Sequence, residues 1–143
     1  LGRLAASGGN KQPLKFIISC DPETNARIFP CTLWAALIKD WSGPAQGERP
    51  TGYIIILHDL EVSRNEGLDH GIAAQNICLG AMERGLGACM MGFGTFAFAV
   101  SPELRQKVGI KEEESVIFML VFGHPKVKYL RTVNRKKVRY EKI

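Results

Sequence analysis

Tyr53-Ile54-Ile55-Ile56-Leu57 is apolar at every position, so a strand built from it is buried on both faces and belongs in the middle of a sheet. Val116 to Phe122 reads as a second strand, closed by Gly123-His124-Pro125. Neither run is long enough to span a bilayer, and no cationic patch leading into a long apolar stretch marks a signal peptide. No membrane partner is expected, and the cysteines, read below as reduced thiols, give the expectation of a protein of the cytoplasm.

Shorter elements fall around these strands. Leu14 to Ser19, with Phe16-Ile17-Ile18 at its centre, and Ala88 to Met91 read as further strands. Asp21 suits an N-cap with Pro22 at the first helical position, and Ser101-Pro102-Glu103 opens a helix to Val108 in the same way. Thr32 to Trp41 reads as helical, with Leu33, Ala36 and Leu37 on one side. Asp69 to Arg84 is the longest helix candidate, ended by Gly85. It is apolar nearly all round, which predicts burial on most sides, inside the domain or at a subunit interface. Leu1 to Ala6 reads as the last turns of a helix that begins outside the chain. Strands and helices alternate around one sheet, which gives an α/β or α+β class, and residues 1–143 are expected to form a single, N-terminally incomplete domain.

The 45% hydrophobic and 23% charged content sets disordered and fibrous classes aside. Cys20, Cys31, Cys78 and Cys89 form no CxxC pair and favour reduced core thiols over a disulfide framework or metal site. The net charge of +5 is uneven. From residue 126 onward eight cationic side chains face Glu141 alone, a balance of +7, so residues 1–125 carry about −2. Nucleic-acid binding by this tail is the weaker reading, because only Tyr129 and Tyr140 interleave the cations and no recognised module surrounds them. His58, His70 and His124 have neither triad nor metal-ligand spacing, and Glu112-Glu113-Glu114 reads as an exposed turn.

Three stretches carry candidate binding chemistry. Ser7, Gly8, Gly9, Asn10 and Gln12 offer backbone N–H groups, a hydroxyl and two amides able to read a planar ligand, or they form a plain turn before a strand. Gly85-Leu86-Gly87 to Gly94 contains Met90 and Met91 before Gly92, an adaptable apolar wall or ordinary core. Its G-x-G follows a helix, unlike the dinucleotide fingerprint. Arg135 with Lys136 and Lys137 suits a phosphate, or is a solvated charge run.

In this order the stretches resemble the short members of the nitroreductase family of FMN-dependent oxidoreductases. Ala5 to Phe16, AASGGNKQPLKF, is similar to the family's A-P-S-x-x-N-x-Q-P loop, Gly71 to Gly94 to its buried helix and G-L-G strand, and VFGHP at Val121 to Pro125 to its G-Y-P ending. The resemblance implies an α+β fold with a central, mostly antiparallel sheet flanked by helices, in a homodimer with FMN at the subunit interface. It implies FMN contacts from Ala6, Ser7, Gly8, Asn10 and Gln12 across that interface, from Met90, Met91 and Gly92 toward flavin N5, and from Arg135 and Lys137 to the 5′-phosphate. NAD(P)H would reduce the flavin, and a nitroaromatic, quinone or similar small acceptor would reoxidise it in a ping-pong cycle with no catalytic side chain. A flavin-fold module without redox activity is the alternative. The chain departs from the family pattern in showing no R-R-S-x-R segment, and in Ala6, Leu14 and His124 where Pro, an aromatic residue and Tyr are usual.

Overall fold

A computed structural model describes residues 1–35, 38–65, 67–92, 95–128 and 130–142, and of residues 96 and 97 the backbone alone. The strand elements are β1 (Leu14–Ser19), β2 (Gly52–Asp59), β3 (Gly87–Met91) and β4 (Glu114–Gly123). They form one sheet in the order β1-β2-β4-β3, with every neighbouring pair antiparallel. β2 thus lies inside the sheet, where its doubly apolar run requires it to be.

The two faces of β2 feed two cores. Tyr53, Ile55 and Leu57 pack with Met91, Met119 and Val121 under Ile28, Phe98 and Leu104. Those three come from α1 (Pro22–Ile28), α3 (Thr95–Val100) and α4 (Pro102–Lys107). On the other face Ile56 and Leu120 pack with Ala74 of α2 (Asp69–Glu83), flanked by Phe16, Ile77 and Phe118. The sheet is therefore sandwiched between helices on both sides.

Local chemistry starts and stops these elements as the sequence predicts. The Asp21 carboxylate accepts from Thr24 N–H at 2.7 Å, and Ser101 Oγ from Leu104 N–H at 3.2 Å. Gly85, at φ +71°, lets the chain leave α2 while Leu86 N–H returns to the Ala81 carbonyl at 2.9 Å.

Other expectations are corrected. No helix forms among the described residues of Thr32–Trp41; Thr32 is extended, and Ala35 and Asp40 take φ values of +37° and +61° that no helix accommodates. Trp34 instead stacks near Phe29, with ring centroids 5.4 Å apart. Ala36 and Leu37, assigned to that helix, lie outside the described residues, as do Phe93 and Gly94 of the turn after β3 and Tyr129 of the tail. The expectation for α2 is narrowed, not overturned: it buries Ala73, Ala74 and Gly80 within this chain and leaves Ile72, Leu79 and Met82 exposed, so the domain interior covers only part of its apolar circumference. The cysteines are free, but Cys20 and Cys89 are exposed and Cys31 and Cys78 half-buried, so they are not core thiols. No helix among the described residues is long and apolar enough to cross a membrane.

Glu114 is buried, and the reason is a bulge. Ile56 pairs with Phe118 but Leu57 pairs with Val116, so Ile117 is an extra residue and every β4 side chain before it changes face. Glu114 thereby arrives on the face of Lys15, whose Nζ donates to its Oε1 at 2.6 Å, while Lys111 N–H donates to Oε2 at 2.9 Å. Burial pushes the Glu114 pKa up, but these bonds and the charges of Lys15 and Lys111 outweigh it and hold the carboxyl below its ordinary value. A depressed folded pKa stabilises above the unfolded value, and that contribution disappears as pH falls through the folded one. Glu114→Gln is expected to cost about 1–3 kcal/mol at neutral pH and to reduce the acid sensitivity of unfolding, as measured by urea titrations across the acidic range.

Candidate functional site

The loop ahead of β1 is built by its own side chains. Ser7 Oγ accepts from Gln12 N–H at 3.0 Å, and Asn10 N–H donates to the Ser7 carbonyl at 2.9 Å, closing a 3₁₀ turn over Gly8–Asn10. Gln12 Nε2 reaches the Asn10 carbonyl at 3.4 Å and its Oδ1 at 3.3 Å. Gly9, Asn10 and Gln12 all have φ between +54° and +58°. Glycine and asparagine tolerate that region, but for glutamine it is an uncommon, strained conformation of the kind that clusters at ligand-contacting loops. The loop is anchored from outside, since Gly8 N–H donates to both oxygens of Asp69, at 3.1 and 3.3 Å, at the start of α2.

Ala6, Ser7 and Gln12 line a small cleft of about 140 Å³ together with Arg3, and Phe16 and Leu14 form its apolar wall. Arg3 and Asp69 were not singled out in the sequence. Arg3 is a lone cation between Gly2 and Leu4, and the bond from Gly8 to Asp69 joins positions 61 residues apart, which no local pattern announces. Asn10 is exposed at the loop's tip.

Met90, Met91 and Gly92 lie at the end of β3. The Met91 side chain is plain core, whereas Met90 points away and is 40% exposed. A Cβ added to Gly92 would meet no atom of the described residues within 4 Å, and its φ is not in the left-handed region, so neither packing among those residues nor backbone geometry demands a glycine there. The Gly92 carbonyl accepts from Thr95 Oγ1 at 3.3 Å.

Strand order relates the two pieces. Leu14 pairs with His58 and His58 with Ser115, so the Ser7–Gln12 loop and the end of β3 face the same end of the sheet. They are on opposite edges, however, with β2 and β4 between them, roughly 14 Å apart across the sheet at an interstrand spacing of about 4.8 Å, and Met91, level with Met119, Ile55 and Ile17, stops short of the end at which β1 begins. The cleft at the loop contains no β3 residue. Arg135 and Lys137 stand in the exposed stretch after β4, which has no regular element, and they make no hydrogen bond or ion pair among the described residues. No group of three or more His, Cys, Asp or Glu suited to a metal occurs among the described residues.

Comparison with known proteins gives this arrangement a setting. A nitroreductase with bound FMN from Desulfitobacterium hafniense DCB-2 is 23% identical, with a TM-score of 0.78 over 99% of this chain and 82% of that one. An FMN-dependent nitroreductase from Clostridium difficile R20291 is 21% identical, with a TM-score of 0.72 over 99% and 83%. A putative NADH dehydrogenase/NAD(P)H nitroreductase from Bacteroides thetaiotaomicron VPI-5482 is 25% identical, with a TM-score of 0.72 over 97% and 78%. Among curated proteins none matches the sequence. The sequence profile described as the Nitroreductase family matches residues 1–124, and with fold and profile in agreement the chain belongs to the nitroreductase family.

Proposed function

We propose that this chain is an FMN-dependent oxidoreductase that takes hydride from NAD(P)H and passes it to a nitroaromatic, quinone or similar flat acceptor in a ping-pong cycle, as a homodimer with its flavin between subunits. One observation carries the reading: two candidate flavin-contacting pieces face the same end of the sheet from opposite edges, an arrangement that a second copy would complete. The exposed face of α2 supports it. Ile72, Leu79 and Met82, with Leu1 and Leu4 nearby in the chain's first turn, are apolar surface that a partner subunit would remove from water.

FMN supplies the hydride chemistry when bound, and the chain's own residues bind and orient it. The Asn10 and Gln12 amides can donate and accept, as the carbonyls and ring nitrogens of an isoalloxazine edge require. Gly92 leaves the space its missing side chain would occupy, so its N–H can approach a ring closely. Ala6 and Gly8 keep the loop's wall low, Met90 and Met91 carry the strand up to Gly92, and Arg135 with Lys137 would meet the phosphate. With the acceptor following the nicotinamide into one apolar place, no acid or nucleophile of the chain is needed. The four free cysteines agree with a reducing cytoplasm.

The purified protein is expected to keep flavin absorption bands through desalting after incubation with FMN, and to lose them on anaerobic addition of NADH or NADPH. Bands that persist with both reductants would indicate a flavin-binding module without this activity, and a protein that retains no FMN would overturn the reading. Asn10→Ala and Arg135→Ala should each weaken FMN binding about tenfold or more, the loss typical of one hydrogen bond to a charged or strongly polar group. Unchanged affinity in both would remove these residues from the site.

A further inference from the structure

A second cleft, of about 260 Å³, opens at the other end of the sheet, where Ser19 pairs with Tyr53. Pro22, Phe29 and Pro50 give it apolar walls, Cys20 stands at its exposed rim, and Arg49 and Tyr53 supply polar groups. Tyr53 is fully buried, yet its hydroxyl has no hydrogen-bond partner among the described residues. Buried hydroxyls are almost always paired, so an unpaired one on a residue that lines a cleft, although almost closed to solvent itself, marks a place for a partner from outside the chain. Burial pushes the Tyr53 pKa up to about 12 against the opposing pull of the Arg49 charge, which keeps the hydroxyl protonated.

The Arg49 guanidinium carbon lies 4.1 Å from the centroid of the Phe29 ring. This contact holds the cation over the ring, and Arg49 has no ion pair among the described residues, so its N–H donors are not taken up by a carboxylate there. Asn25 does not compete for a ligand. Its Nδ2 donates to the Thr51 carbonyl at 2.9 Å and its Oδ1 accepts from Ser19 Oγ at 2.7 Å, which ties α1 to the entry of β2 and fixes the cleft's wall.

We propose that this cleft binds a small, flat carboxylate of the benzoate class, its ring against Phe29 and the prolines, its carboxylate held by the Arg49 fork and the Tyr53 hydroxyl. One guanidinium and one hydroxyl match a single negative charge; a phosphate dianion would need more donors than an apolar cleft with these two provides. The volume suits one ring, since a cavity of about 150 Å³ accommodates benzene alone. The site lies at the opposite end of the sheet from the Ser7–Gln12 loop, so it does not rest on the flavin reading.

The test titrates the purified protein, with and without added FMN, with sodium benzoate and follows alkylation of Cys20 by peptide mass spectrometry, with Cys31, Cys78 and Cys89 as internal controls and sodium chloride matching ionic strength. Saturable protection of Cys20 alone is expected. Its midpoint should shift upward about tenfold or more in Arg49→Gln and several-fold in Tyr53→Phe. Tyr53→Phe should melt no earlier than the parent protein, because its hydroxyl gives up no partner. Absence of saturable protection, the same midpoint in both variants, or an earlier melt of Tyr53→Phe would each overturn the proposal. A flavin spectrum altered by benzoate while Cys20 stays unprotected would count against it equally, by placing the carboxylate elsewhere.

Discussion

Phe98→Ala is expected to destabilise the protein by about 3–5 kcal/mol, the usual result of removing a large aromatic side chain from a packed interior. Phe98 is only 1% exposed and fills the space between α3 and the face of the sheet bearing Met119 and Leu57. A domain of this size has about 5–15 kcal/mol in total, so this one substitution should bring the urea midpoint close to unfolding conditions. Val100, two residues on in α3 and 70% exposed, is the control. Val100→Ala should stay within about 0.5 kcal/mol. A small effect at Phe98 would mean that α3 does not cover the sheet as described.

Gly92→Val should separate folding from binding more sharply than any other change. Because a Cβ there meets nothing among the described residues, the variant should unfold within about 0.5 kcal/mol of the parent protein. Under the proposed flavin site, however, the branched side chain occupies the space through which the Gly92 N–H approaches the ring, and FMN affinity should fall about a hundredfold or more. Fluorescence titration with FMN beside a thermal melt gives both quantities. Equal affinity in the two proteins would place the flavin away from β3.

The sheet was legible because its strands announce themselves. The run at Tyr53–Leu57 led directly to an interior strand, and the caps at Asp21 and Ser101 are the bonds their residue types predict. What escaped depended on distant partners. The segment after Thr32 has helix-forming residues, but Ala35 and Asp40 adopt left-handed φ values that its composition does not signal. Glu114 reads as one of three exposed acids until the bulge at Ile117 turns it toward Lys15, and α3 was hidden behind a run of aromatic and small residues without a clear period. For α2 the apolar circumference is legible in the sequence, but which of the two expected sites buries it is not, since within this chain only Ala73, Ala74 and Gly80 are covered. At the candidate site the loop motif was visible, whereas Arg3 and the Asp69 anchor are brought to it only by the fold.

That anchored loop has a kinetic consequence. With Gly8 tied to Asp69, Gln12 N–H tied to Ser7, and two non-glycine residues already in left-handed conformations, the ordering that a loose segment would undergo on meeting a ligand has been completed during folding. Association at such a loop is governed by diffusion and orientation, without a conformational search, so variants that loosen it, such as Asp69→Ala, should slow capture as well as hasten escape, whereas most contact-deleting changes act on escape alone.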